Sequence, residues 1–278
     1  MRIAASTYLN SAPLVHSFAT GSFGTRYTFL GDAAPSRCAA LLAAKQADIA
    51  LIPVIEYQRI PDLLVIPNVA VAAKQQVRSV LLATRKPLNE VKTLALDTSS
   101  RTSQALVQII LAERYGVHPQ LIEHTPRLGT AFTLGTLSEA DAALVIGDPA
   151  LCLTTQAQAL GLTIYDLAEE WQTLTGLPFV FAVWAVRAEA LAESRLKPAQ
   201  LVNDFLEAKA EGLRRVPDIA AQFAAELPLP LSDLLDYLHV NVNYDLDEMN
   251  RTGLQRYYEL AAAHGFIEAA RAVRFLTA

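Results

Sequence analysis

The chain has 278 residues, 52% of them hydrophobic, a net charge of −5 and two cysteines. So much apolar matter builds a packed core and excludes a disordered protein. The acidic balance, without any run of Lys or Arg, argues against a nucleic-acid binder. Cys38 and Cys152 are too few for a disulfide framework or a zinc site and fit thiols in a reducing compartment.

In chain order, strands alternate with helices. Arg2–Thr7 reads as a buried strand and Ser11–Ala19 as a helix with Pro13 in its first turn. Arg26–Leu30 is a strand, Pro35–Lys45 a helix, and Asp48–Val54, Leu64–Ala73 and Val77–Thr84 are strands. A second unit follows. Lys92–Asp97 is a strand and Ser100–Tyr115 a helix closed by Gly116. Leu121–Thr125 is a strand, Gly129–Leu137 a helix, and Ala142–Ile146, Thr163–Leu167 and Phe179–Val186 are strands. From Leu196 the chain is helical, broken at Pro217 and at Pro228-Leu229-Pro230. The opening residues are too briefly apolar for a secretory signal. No run of about 18 apolar residues offers a membrane span. A cytoplasmic protein is expected.

The strand–helix–strand grouping occurs twice and predicts mostly parallel sheets flanked by helices. Residues 1–84 with 184–278 would form one lobe and 85–183 the other. The crossings are expected near Thr84–Leu88 and Leu177–Val183, with the helical C-terminal tail returning to the first lobe. Ligands of such sheets sit at the carboxyl ends of the strands, here in the cleft between lobes.

Four polar clusters punctuate this pattern. Asp97-Thr98-Ser99-Ser100-Arg101-Thr102-Ser103 follows a strand and opens a helix. Its backbone N–H groups, hydroxyls and guanidinium suit a carboxylate, although simple helix capping uses the same residue types. Ser6-Thr7-Tyr8-Leu9-Asn10-Ser11 is a second strand end running into a helix, where Asn10 or Ser11 could serve only as a cap. In Val77-Arg78-Ser79-Val80 a charged and a hydroxyl residue interrupt an apolar run. Tyr165 to Trp171, then Gly176-Leu177-Pro178 and an aromatic strand, reads as a hinge beside an apolar wall. Glu169 and Glu170 are adjacent and make a poor acid–base pair on a helix. None of the five histidines falls in an HxxxH or HExxH pair, and there is no Gly-x-Ser-x-Gly elbow and no P-loop.

Taken together, these segments resemble the chorismate dehydratase family of menaquinone biosynthesis. The matching text is Tyr8-Leu9-Asn10 with Pro13-Leu14, Ile52-Pro53 with Ile55-Glu56-Tyr57, and Val77 with Ser79-Val80-Leu81-Leu82. It continues through Ser99-Ser100-Arg101-Thr102-Ser103, Ala140 to Leu144 with Ile146-Gly147-Asp148, Glu169-Glu170-Trp171, and Thr175 to Trp184. The likeness departs at Gln75-Gln76, where the family pattern has a Gly, and at Val54 and Ala168, where it has Ser and Gly.

The resemblance implies a two-lobed α/β fold of the type II periplasmic-binding-protein kind. It also implies an enzyme that needs no metal and no organic cofactor and dehydrates chorismate to 3-enolpyruvylbenzoate in the futalosine route. The family's key amide falls on Asn10. Its substrate-binding positions fall on Tyr8, Ser79, Ser100, Arg101, Thr102, Ser103, Gly147, Asp148 and Phe179. Two other readings stay open: a non-catalytic binder of a small carboxylate, and the sister 1,4-dihydroxy-6-naphthoate synthase, for which a cleft histidine would be expected.

Overall fold

The computed structural model describes residues 1–32, 34–124, 137 and 139–277. The expected helix Gly129–Leu137 lies outside these residues except for Leu137. Ten strands form two five-stranded sheets among them. The first sheet contains β1 (Arg2–Ser6), β2 (Thr28–Asp32), β3 (Ile49–Pro53), β4 (Leu63–Ala73) and β10 (Phe179–Arg187), in the order β2-β1-β3-β10-β4. The second contains β5 (Val80–Thr84), β6 (Thr93–Asp97), β7 (Gln120–His124), β8 (Ala142–Ile146) and β9 (Thr163–Asp166), in the order β7-β6-β8-β5-β9. In each sheet four strands run one way, and the fifth is inserted against them at the fourth place: β10 between β3 and β4, β5 between β8 and β9. The sheets are therefore mixed but mostly parallel in direction. Strands β3, β5 and β8 are buried at every position, which is why they read as unbroken apolar runs rather than alternating ones.

Two boundaries differ from expectation. The chain leaves the first sheet after Ala73 and enters the second at Val80, and it returns between Asp166 and Phe179. Val80–Thr84 thus pairs wholly within the second sheet and Phe179–Val183 wholly within the first, so both crossings lie earlier than Thr84–Leu88 and Leu177–Val183. The cause of the first shift is local. Arg78 adopts φ 60°, incompatible with a strand, and the Asp166 carboxylate accepts the N–H groups of Val77 and Arg78 at 3.0 and 2.6 Å. The strand expected from Val77 accordingly begins three residues later, at Val80.

Eleven helices complete the described structure. These are α1 (Ala12–Ala19), α2 (Pro35–Ala43), α3 (Val54–Arg59), α4 (Arg101–Tyr115), α5 (Asp148–Gln156), α6 (Leu167–Thr175), α7 (Ala188–Glu193), α8 (Pro198–Arg214), α9 (Val216–Ala224), α10 (Leu231–Asp236) and α11 (Glu248–Ala263). The break expected at Pro217 falls at Arg215, because Pro217 occupies the first turn of α9, where its missing N–H costs nothing. Helices α1 and α8 cross with their backbones nearly touching. A Cβ on Gly212 would meet the Pro13 carbonyl oxygen at 1.7 Å, so only glycine permits the contact. One face of the first sheet packs there on Phe18, Trp184 and Phe205, whose rings meet at 4.8 to 5.9 Å.

Segments of the C-terminal tail pair with the first sheet. Asn243 exchanges backbone hydrogen bonds with Ala72, and Val65 bonds Arg274 and Leu276, so C-terminal segments cover the outer edge of β4.

Candidate active site

Between the sheets lies a nearly closed cavity of about 40 Å³. Its floor is apolar, built from Leu51, Pro53, Val71, Val80, Phe181 and Ala182. Its polar rim comes from helix starts. Ser11 precedes α1, Pro35 opens α2, Ser100 and Ser103 head α4, and Gly147 precedes α5. Four helix N-termini thus converge on one small space. Each contributes the positive end of a dipole, which favours an anion without any lysine or arginine at the wall, while the first N–H groups of α1 and α2 are already taken by the Tyr8 and Ser99 carbonyls.

The β1–α1 turn is the most constrained part of the rim. Ser11 Oγ lies 2.8 and 3.0 Å from the Ser6 and Tyr8 carbonyl oxygens, which share its one proton, while its backbone N–H also returns to the Tyr8 carbonyl. Leu9 is fully buried and anchors the loop. Its N–H reaches across the cleft to Asp148 Oδ1 at 3.0 Å. Tyr8 and Asn10, on either side, face the cavity. Among the described residues the Asn10 side-chain amide has no protein partner, so both its donor and its acceptor are available to a ligand.

Gly147 faces Tyr8 from the other lobe. It has φ 68°, and a Cβ there would lie 2.9 Å from the tyrosine ring. Backbone conformation and close approach both require glycine. Its N–H donates to the Ser79 carbonyl at 2.8 Å, joining the ends of β5 and β8. Ser79 is buried, and its hydroxyl lies 2.7 Å from the Tyr237 hydroxyl.

The helix start expected to bind an anion divides its labour. Ser100 is the N-cap, its Oγ accepting from the Ser103 N–H at 3.4 Å and lying 3.0 Å from Ser103 Oγ. Both hydroxyls face the cavity. Arg101 does not: its guanidinium pairs with the buried Glu56 carboxylate at 3.1 Å, and Glu56 also holds Arg59 at 2.9 Å. Thr102 turns away too, its Oγ1 accepting the Ile55 N–H at 3.2 Å. Successive helical residues point about 100° apart, so a start that aims Ser100 and Ser103 at the cavity commits Arg101 and Thr102 to α3. Phe179 is likewise off the cavity. It packs against Trp171, Phe181 and Tyr257 at 4.7 to 5.3 Å, and Phe181, two residues on, takes the wall position.

Of the positions singled out in the sequence, Tyr8, Asn10, Ser100, Ser103 and Gly147 line the cavity. Ser79 and Asp148 bond to its rim, and Arg101, Thr102 and Phe179 support it from outside. Ser6 and Phe181 line it too, the first from the polar cluster after β1 and the second from the aromatic strand.

Two buried carboxylates flank the site. Burial raises Asp97 to about 6, against the opposing pull of hydrogen bonds from Ser99; its Oδ1 takes both the Ser99 N–H and hydroxyl, and its Oδ2 has no partner. Burial likewise raises Asp148 to about 6, opposed by the Leu9 N–H. Burial, followed by the nearby Asp97 charge, pushes the Tyr8 phenol up to about 12, so it stays protonated. Among the described residues no group of three His, Cys, Asp or Glu could hold a metal ion. No described helix is long and apolar enough to cross a membrane.

Comparison with known proteins agrees with this architecture. A sequence model of the family described as menaquinone biosynthesis matches residues 1–263. The chorismate dehydratase of Thermus thermophilus is 32% identical over 269 residues, covering 91% of this chain and 92% of that protein. Among solved structures, a protein of Archaeoglobus fulgidus superposes with TM-score 0.73 at 17% identity, covering 96% of this chain and 98% of that one. A Candida albicans gene product described as having the generic periplasmic binding protein fold gives 0.67 at 12% identity, covering 95% and 90%. The periplasmic aliphatic sulphonate binding protein of Escherichia coli gives 0.65 at 15%, covering 97% and 94%. At these identities the solved structures establish the periplasmic-binding-protein fold and nothing finer.

Proposed function

This chain belongs to the menaquinone biosynthesis family, and we propose that within it the protein is a cytoplasmic chorismate dehydratase of the futalosine route, acting without metal or organic cofactor. The observation that carries this reading is the convergence of four helix N-termini, a free amide and paired serine hydroxyls on one small cavity with an apolar floor. Chorismate has complementary chemistry: a ring with one carboxylate, an enol ether at carbon 3 whose arm bears the second carboxylate, and a hydroxyl at carbon 4.

The reaction removes the proton on carbon 3 and the hydroxyl on carbon 4, and the ring becomes aromatic. The C3–H electron pair becomes the new ring double bond, the C4–O bond breaks, and the hydroxyl leaves as water with a proton. In this scheme the Ser100–Ser103 helix start takes one carboxylate. Asn10 holds the enolpyruvyl arm so that the arm's own carboxylate accepts the carbon-3 proton. A group already tethered to the reacting carbon reaches high effective molarity when correctly oriented, so a side-chain base is not required. Tyr8 and Phe181 shield the ring and keep water out.

The test is to mix purified, chelator-dialysed protein with chorismate and follow ultraviolet absorbance and product mass. Formation of 3-enolpyruvylbenzoate at undiminished rate supports the reading. Saturable binding without product would instead identify a carboxylate-binding protein. Activity that returned only with a divalent ion would refute the cofactor-free scheme.

A further inference from the structure

The C-terminal tail contains one segment that departs from α-helical geometry beside the site. Residues Tyr237–Asn241 form a π-helical turn after α10, closed by the Val242 N–H on the Tyr237 carbonyl at 3.1 Å. Such turns are rare and recur at functional sites. This one reaches the loop that leads into β5 at two points. The Asn241 side chain donates to the Gln76 carbonyl at 3.2 Å, and Tyr237 Oη lies 2.7 Å from Ser79 Oγ. Two residues further on, Asn243 is paired to β4 through Ala72, which fixes the turn to the first sheet. The loop is held from the opposite direction by Asp166, which accepts the Val77 and Arg78 N–H groups and locks Arg78 in its left-handed conformation.

Chemistry decides the direction of the Tyr237–Ser79 bond. A phenol is the stronger acid of the two and, its lone pair being delocalised into the ring, the weaker acceptor; Tyr237 therefore donates and Ser79 accepts. Both residues are buried, at 1% and 0% exposure, so water does not compete. A serine hydroxyl has one proton and two lone pairs. With a lone pair engaged by Tyr237, its proton must point elsewhere, and among the described residues it has no acceptor. Ser79 immediately precedes Val80 of the cavity floor and holds Gly147 of its rim.

We propose that Tyr237 is a positioning residue: it acts through Ser79, holding the buried junction where Ser79 meets Gly147 of the rim and Val80 of the floor, and so fixes the wall against which the substrate is oriented. The π turn exists to bring a tail residue to this buried point, and the C-terminal tail is thereby part of the site rather than a cover for the sheet edge alone. This inference rests on the dehydratase reading, and the experiment separates the two.

Turnover of chorismate is measured for wild type, Tyr237→Phe, Ser79→Ala and the double variant, with melting temperatures as a fold control. Tyr237→Phe removes one oxygen and keeps the ring. It is expected to lower kcat by about 10–100-fold, the scale of a small misplacement of the substrate against the wall, with KM changed less than about threefold because orientation matters most in the transition state. The double variant is expected to be no slower than Ser79→Ala, because Tyr237 has nothing to orient once the hydroxyl is gone. A merely structural tyrosine would give losses that multiply. Multiplicative losses, or Tyr237→Phe with wild-type kcat, would overturn the inference while leaving the dehydratase reading intact. A wild-type protein that never turns chorismate over would overturn the dehydratase reading and this inference with it.

Discussion

Asn10 is the residue whose chemistry is least explained by folding. Its neighbours Leu9 and Ser11 hold the loop, yet its own amide is left free beside the cavity. A free amide on an over-determined loop is preorganised at no cost during the reaction. Asn10→Ala should lower kcat by about 10²–10³-fold, the usual loss for one preorganised donor, and leave affinity for 3-enolpyruvylbenzoate within a few-fold. Equal losses in affinity and kcat would make Asn10 a general binding contact. The buried carboxylates carry a second prediction. Asp97 and Asp148 titrate at about 6 in the folded chain and at about 3.9 when unfolded, so between those values the folded state holds more protons. Their contribution to stability is therefore greatest at low pH and falls as pH rises through 6. Wild-type protein should lose stability between pH 5 and pH 7.5, and Asp97→Asn should remove roughly 1 kcal/mol of that loss. An unchanged difference between the two pH values in the variant would mean that Asp97 does not titrate there. Carboxylates held below their ordinary values, such as Asp48 beside Arg2 and Asp141 beside Lys86, change protonation at lower pH and do not interfere.

At the scale of elements, the start of α4 divides between two tasks the four polar residues, Ser100 to Ser103, expected to share one. Ser100 and Ser103 face the cavity, while Arg101 and Thr102 fasten α4 to α3 through Glu56 and the Ile55 N–H. Replacing Ser100 and Ser103 together with alanine should weaken substrate affinity by about 1–3 kcal/mol, the range for lost bonds to a charged group. Arg101→Ala should change affinity little. The reverse ranking, read by calorimetric titration, would mean that Arg101 leaves Glu56 to meet the ligand. The division was not legible in the sequence, because it depends on where α3 lies. That helix goes unread beside β3, whose apolar run hides the change of period after Pro53. What was legible came from strand ends. Polar text following an apolar run, at Tyr8–Asn10 and Ser99–Ser103, marks two stretches that reach the cavity, while Gly147 and Asp148 come from the family resemblance. Gly147 was also readable as punctuation, though not as the partner of the Tyr8 ring. Tyr237 could not be found this way: it lies among ordinary helical text, and its role arises from a π turn that no periodicity announces.

At the scale of the molecule, the two sheets do not behave as independent bodies. One continuous apolar core includes Ala50 and Ile52 of β3, Val65 of β4, Leu82 of β5, Leu94 of β6 and Leu106 of α4. Helix α11 bolts the lobes together. Its Tyr257 hydroxyl donates to the Thr102 carbonyl at 3.1 Å, and its Tyr258 hydroxyl donates to the Val54 carbonyl at 2.7 Å. Both tyrosines are buried, so opening this joint would strand polar groups away from water, at about 1–3 kcal/mol each. The cleft face is tied as well, by the Leu9–Asp148 bond, the Tyr8–Gly147 contact and Ser36, whose N–H and hydroxyl donate to the Ser99 and Thr98 carbonyls at 3.0 and 3.3 Å. The chain should therefore unfold in a single thermal transition, with calorimetric and van't Hoff enthalpies in agreement, even though it contains two sheets. A ligand in the cleft should raise the whole transition according to RT ln(1 + [L]/Kd), and should not split it. Two resolved transitions, or one that ligand shifts only in part, would show that each sheet folds with its own core and that α11 merely rests against both.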